Sequence, residues 1–246
     1  MVEKTERSTP ATSDGASQMA RYRFQLLLGS LVALLLLYPA AEAIEYGELF
    51  LHGVASLVLL AGVYSVASNA AIRIGAASLA VVAIAGDLAV LAGAGEPVLV
   101  ASLATEATFE LLIDFAVLRS VIAARKVDAD VLAGGLCAYL LTGMAFASVY
   151  SIVELLAPGS CAFPEPVPAS PQWKDFVFFS FTTLTTLGYG DIRPVSDFAR
   201  SLTSAESILG VFYMAILVSR LVSLYGDHQA GGPHDSFSPY GEAAGR

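Results

Sequence analysis

The sequence predicts an all-α membrane protein of six transmembrane helices, with a re-entrant helix and a non-helical loop between the fifth and the sixth. Three observations carry that prediction. Of 246 residues, 56% are hydrophobic and only 14% charged, with a mean hydropathy of +0.67, where an ordinary soluble domain carries about 25% charged residues. Six apolar segments approach the roughly 20 residues with which a helix crosses a hydrocarbon core of about 30 Å. The stretch between the last two, residues 158–200, is too long for a hairpin and too short for a domain. The net charge of −9 and pI of about 4.7 exclude a nucleic-acid partner, because phosphate binding needs a basic surface. Cys137 and Cys161 are too few for a disulfide framework and match no zinc spacing, so no bound cofactor is predicted.

Residues 1–21 are polar and read as a disordered N-terminus. The apolar segment after them is too long for a secretory signal. The spans follow in order: Phe24 to Ile44, Leu49 to Ala67, Ile74 to Gly95 broken only by Asp87, and Val98 to Ala123 carrying Glu106, Glu110, Asp114 and Arg119. The fifth runs from Val131 to Ala157 and the sixth from Ser201 to Tyr225. Residues 22–126 therefore form a four-helix transmembrane unit, 127–225 a second unit, and 226–246 a short tail too small for a regulatory domain. Basic residues set the orientation. Lys4, Arg7, Arg21 and Arg23, then Arg73, then Arg125 and Lys126, then Arg246 fall on one side, whereas the opposite short loops hold Glu45, Glu48 and Glu96. The expectation is a multi-pass protein of the cell (plasma or inner) membrane, with both termini cytoplasmic.

The long intervening segment opens with a Pro-rich stretch, Pro158 to Pro171, which reads as an exposed loop. Ser170 suits an N-cap and Pro171 the first helical position. Trp173 to Thr185 is then an apolar helix of about 20 Å, too short to span and hence re-entrant. The run Thr185-Thr186-Leu187-Gly188-Tyr189-Gly190-Asp191 follows it.

Thr186 to Asp191 closely resembles the selectivity filter of potassium channels, with Leu187 where the commoner form has valine. A dehydrated potassium ion needs oxygen ligands in place of its hydration shell, which rings of backbone carbonyls supply. Gly188 and Gly190 allow the backbone angles that turn successive carbonyls to one axis. The resemblance implies K+ as the permeant ion, bound at Thr186, Leu187, Gly188 and Tyr189, with Gly190 completing the site and Asp191 at the outer mouth. Leu187 and Tyr189 would pack behind the filter as a cuff. One chain supplies one filter strand and a closed ring needs four, so the partners are three further copies in a homotetramer, within the lipid bilayer.

The resemblance extends over roughly residues 131–225. Gly210 stands twenty residues past Gly190, where related channels place a hinge in the pore-lining helix; a packing glycine is the alternative. Val211, Met214, Val218 and Val222 would line the cavity and inner mouth. Phe178 and Phe179 stand where relatives often have tryptophan, so neither can donate a hydrogen bond to Asp191.

Six spans with this loop after the fifth resemble the voltage-gated layout, yet the fourth span lacks an arginine ladder, with Arg119 alone near its inner end. It carries instead Glu106, Glu110 and Asp114, four apart and on one helical face. Asp87 falls at the depth of Glu106. These acids read either as a proton- or cation-sensitive cluster or as neutral acids bonded between helices, with Arg73 and Arg119 as further partners. His52 reads as a packed or interfacial histidine. Glu206, one turn above Gly210, either accepts from Thr182 or Thr183 or faces the cavity. Cys161 is a free thiol or bridges subunits, and His228 and His234 in the tail suggest no metal site. The leading function is a potassium-selective channel conducting passively, with weak or no voltage gating, and not an enzyme. The alternatives are a proton-coupled cation carrier using the intramembrane carboxylates, and a non-conducting partner subunit.

Overall fold

A computed structural model describes residues 22–41, 47–66, 70–124, 128–164 and 173–230. Seven helices and one minimal sheet make up these residues: α1 (Arg23–Ala41), α2 (Gly47–Ser65), α3 (Ala70–Leu91), α4 (Glu96–Ala123), α5 (Ala129–Leu156), β1 (Cys161–Ala162), α6 (Trp173–Leu184), β2 (Arg193–Pro194) and α7 (Asp197–Ala230). Two of the described helices, α3 and α5, are long and apolar enough to cross a membrane by length and composition, and α1 and α2 contain shorter apolar stretches.

The core forms where apolar residues recur at helical spacing. Phe24, Leu27, Leu31 and Leu34 of α1 are buried, as are Phe109, Ile113, Val117 and Val121 of α4, each set three or four apart. α5 is the hub. It packs against α1, α4, α6 and, more lightly, α7, and it buries small residues along much of its length. Small residues let helix backbones approach closely, and Gly143 shows how closely. A Cβ there would lie 2.7 Å from the Phe181 ring of α6. The start of α5 is fixed by Asp128, whose carboxylate accepts from the Val131 N–H (2.9 Å). Asp130 accepts from the backbone of Phe24 and pairs with Arg23, tying α1 to the same end.

Most helix ends differ by a few residues from the sequence reading, α3 by four at each end, since it spans Ala70–Leu91 rather than Ile74 to Gly95. α7 begins at Asp197 rather than Ser201 and runs on to Ala230, beyond Tyr225. Hydropathy stops at a charge, but a helix stops where its hydrogen bonds do. Here Ser196 Oγ accepts from the Ala199 N–H (3.2 Å) and Asp197 supplies the acidic first turn. The Pro-rich stretch is not wholly an exposed loop, since Ser160 and Cys161 are buried. Glu154 at the end of α5 accepts from the Gly159 N–H (2.7 Å) and the Cys161 N–H (2.8 Å), which folds the chain into β1. β1 pairs antiparallel with β2, Cys161 opposite Pro194. Ser170, Pro171, Glu45, Arg125 and Lys126 lie outside the described residues.

Candidate ion-conduction site

The site begins with α6, whose buried face holds Phe176, Phe179, Ser180, Thr183 and Leu184 against α5 and α7. At its C-terminal end the Thr185 N–H donates to Phe181 O (3.0 Å), Thr186 N–H to Thr183 O (2.9 Å) and Gly188 N–H to Thr182 O (3.0 Å). The last of these carries the chain out of the helix and anchors the strand Thr186–Gly190 to it.

That strand has an unusual backbone. Thr186, Gly188 and Gly190 all have positive φ, at 59°, 56° and 81°, while Leu187 and Tyr189 between them do not. Alternating handedness lets successive peptide planes face the same way, whereas a β-strand points neighbouring carbonyls oppositely. Glycine accepts this conformation at little cost. For Thr186, a β-branched residue, positive φ is a costly outlier, of the kind that persists where surrounding structure enforces it. The residues are open in the single chain: Leu187 is 59% and Tyr189 64% exposed.

Phe178 and Phe179 have separate tasks. Phe178 lies stacked with the Tyr189 ring, centroids 5.8 Å apart and planes 10° from parallel. Phe179 is buried edge-on against Tyr150 of α5 (4.8 Å). Ring stacking therefore holds the outer part of the strand where a donor from the helix is absent. Asp191 is exposed. Beyond it β2 joins β1, and the Val195 N–H donates to Ser160 O (2.8 Å), so the chain leaving the strand is fastened to the loop after α5.

Gly210 sits against the inner end of this assembly. A Cβ at that position would lie 2.0 Å from the Leu184 carbonyl oxygen, so glycine is demanded by contact between α6 and α7. Glu206, one turn earlier, does meet α6, but through Ser180 rather than the threonines the sequence suggested. It neither meets Thr182 or Thr183 nor faces a cavity, but is fully buried. Tyr150 donates to its Oε2 (2.7 Å), and Ser180 Oγ lies 2.5 Å from its Oε1. Tyr150 and Ser180 were not singled out from the sequence; a lone tyrosine and serine on apolar helices give no signal until the helices are docked. Val211 and Met214 are exposed in the single chain, whereas the side chains of Val218 and Val222 lie outside the described set.

Of the acids on α3 and α4, Asp87, Glu106 and Glu110 interact in turn, and Asp114 has its partner on α5. Asp87 accepts from Ser102 Oγ (3.0 Å), lies 3.7 Å from His52 Nδ1, and has Glu106 beside it. Asp114 instead accepts from Thr142 of α5 (3.2 Å), with its other oxygen unpaired. Glu110 is buried between them with Oε2 unpaired. His52 is thus a partner of Asp87, which its isolation in the second span concealed. Cys161 is a free thiol, and burial, with Glu154 beside it, pushes its pKa up to about 11. Among the described residues no group of three or more His, Cys, Asp or Glu is arranged to hold a metal ion.

Residues 135–226 match the family model described as "Ion channel". That match covers most of α5, α6, the strand after it and most of α7, so this region is similar to an ion channel pore domain. Among individual proteins, the chain is similar to the inward rectifier potassium channel Kirbac3.1 of Paramagnetospirillum magnetotacticum, 29% identical over 97 residues, which cover 38% of this chain and 29% of that one. It is also similar to Protein LctB of Bacillus caldotenax, 33% identical over 34% of this chain and 64% of that one. For Protein LctB of Geobacillus stearothermophilus the identity is 34%, over 32% of this chain and 60% of that one. The chain thus spans less than two thirds of each of these relatives. No solved structure matches the chain.

Proposed function

We propose that this chain is one subunit of a homotetrameric potassium channel in which the Thr186–Tyr189 carbonyls form the conduction filter. The observation that carries the reading is the alternation of backbone handedness at Thr186, Gly188 and Gly190. It presents a row of carbonyls to one side of a strand that is open in the single chain, and a ring of four such rows replaces the hydration shell of a bare cation. The C-terminal end of α6 leads directly into that strand and brings the negative end of its dipole to the filter's inner mouth. α7 supports the assembly: Ile208, Leu209, Phe212, Met214 and Ile216 are all exposed. A helix apolar around most of its circumference has to be covered, here by neighbouring subunits and lipid.

The rest of the reading follows from the same frame. On this reading six spans leave both termini on one side, the cytoplasmic one by the distribution of Lys and Arg, with Asp191 at the outer mouth and Val211 and Met214 toward the cavity. The four-helix unit surrounds the pore without an arginine ladder, so gating depends weakly on voltage. A proton-coupled carrier is the second reading, through Asp87, Glu106, Glu110 and Asp114. Against it, Asp114 turns to Thr142 of α5, and its Oδ1 and the Glu110 Oε2 are both unpaired, which leaves the row of acids broken before Asp114. Potassium efflux from proteoliposomes separates the two. A channel lets the ion run down its own gradient whether or not a pH gradient is imposed. Uptake against the potassium gradient, driven by protons and saturating, would establish the carrier.

A further inference from the structure

Behind the filter strand lies a buried carboxyl group with no cation to balance it. Glu206 is fully buried where α5, α6 and α7 meet. Its partners are Tyr150 and Ser180, and among the described residues no Lys, Arg or His faces it. The ionisable groups that do face it are Tyr150 and, farther along the same helix, Tyr139. α6 contributes the Ser180 hydroxyl, and its own helix contributes Thr203, which lies 3.2 Å from the Tyr150 hydroxyl.

Counting protons favours a neutral acid. Ser180 Oγ lies 2.7 Å from the Gly143 carbonyl oxygen and 2.5 Å from Glu206 Oε1. A serine hydroxyl carries one proton and a carbonyl carries none. If Ser180 donates to Gly143, the second contact needs its proton from Glu206. A neutral acid fits both sides of the group, donating from Oε1 to Ser180 and accepting at Oε2 from Tyr150. An ionised one leaves two contacts to share one proton. Either the Gly143 bond is lost, or lone pairs face each other at 2.5 Å in a buried site where an uncompensated charge is already expensive.

We infer that Glu206 is a positioning residue that, as a neutral acid, latches the pore helix to the outer and inner helices, and that losing its proton releases the filter from its conducting geometry. The route is short. Ser180 and Phe179 are adjacent in α6, Phe179 packs on Tyr150, and the helix they belong to anchors Thr186 and Gly188 through its last carbonyls. The inference rests on the potassium-filter reading above and adds to it a proton-dependent control at the back of the filter.

The test is potassium efflux from proteoliposomes across a series of symmetric buffers from mildly acidic to alkaline, with the full chain as wild type, Glu206→Gln and Ser180→Ala. Wild-type flux falls by at least about tenfold per pH unit once Glu206 has lost its proton in most subunits, and more steeply where all four latches must hold. Glu206→Gln keeps a donor for Ser180 and an acceptor for Tyr150, so it conducts like the wild type in acid and stays flat into alkali. Ser180→Ala keeps the acid but cuts its link to α6, so its flux is lower and equally flat. A Glu206→Gln variant that retains the alkaline fall, or that conducts only a small fraction of wild-type flux in acid, overturns the inference. A Ser180→Ala variant with the full wild-type pH profile overturns it as well. If the wild type passes no potassium in any buffer, the channel reading has failed instead, and thermal unfolding then decides the latch. A proton held more tightly in the folded state stabilises at low pH and loses that effect as pH rises. The wild-type midpoint must therefore drop toward alkali more steeply than that of Glu206→Gln, and equal slopes overturn the latch.

Discussion

Replacing Gly210 with alanine tests how the inner helix meets the pore helix. The added Cβ would stand 2.0 Å from the Leu184 carbonyl oxygen and 2.9 Å from its carbon. Both are backbone atoms, so no rotamer change relieves the clash, and α6 and α7 must separate by about 1 Å to reach ordinary contact. Overpacking of this kind costs up to about 3 kcal/mol, offset by roughly 1 kcal/mol from the better helix propensity of alanine. The net loss of about 2 kcal/mol per subunit corresponds to a midpoint lowered by roughly 4–8 °C for a chain of this size. Because Leu184 is the last residue of the pore helix, the displacement also reaches the filter, and ion flux falls with it. Gly29→Ala is the matched control, since nothing lies within 4 Å of a Cβ there, and it is neutral or slightly stabilising. Circular dichroism melts of the purified variants, with flux in liposomes, provide both readings. A Gly210→Ala protein that melts with the wild type but gates differently would refute the contact argument and support a hinge.

Two further outcomes follow from the site. Cys161 is buried, with its thiol pushed up to about 11, so alkylation at neutral pH proceeds at least about a hundredfold more slowly than for an exposed cysteine and accelerates as pH rises. Rapid labelling of the Cys137→Ala protein at neutral pH would contradict this. Asp191 is exposed next to the filter strand, so Asp191→Asn lowers inward unitary current at low salt, and the difference shrinks as the screening length contracts to about 10 Å at 0.1 M. An effect independent of salt would assign Asp191 a local structural task instead.

The unusual backbone of the strand Thr186–Gly190 was legible in the sequence because its information is local. Two glycines two residues apart behind a short helix constrain the backbone wherever the strand is placed, and the positive φ values fall on both of them. The positive φ of Thr186 is not legible there, because no propensity marks a β-branched residue for that region. Hydropathy located all six long helices but missed most of their ends by a few residues, by four at the starts of both α3 and α7, and at α7 capping rather than apolar content sets the start. The partners of Glu206 were illegible for a different reason. Ser180 and Tyr150 are 26 and 56 residues away, and only the rotation of three docked helices decides which hydroxyls meet the acid. The same holds for His52 and Asp87. The β1–β2 pairing is two residues long on each strand, too short to leave a period in the sequence.

The central claim is that the Thr186–Tyr189 carbonyls select potassium. It is tested most directly by the reversal potential of the purified protein in a planar bilayer, with potassium on one side and sodium on the other. The account predicts a strongly potassium-selective potential in the wild type and loss of that selectivity, or of current, in Gly188→Ala. A wild-type potential near zero under the same gradient, with current still flowing, would contradict it.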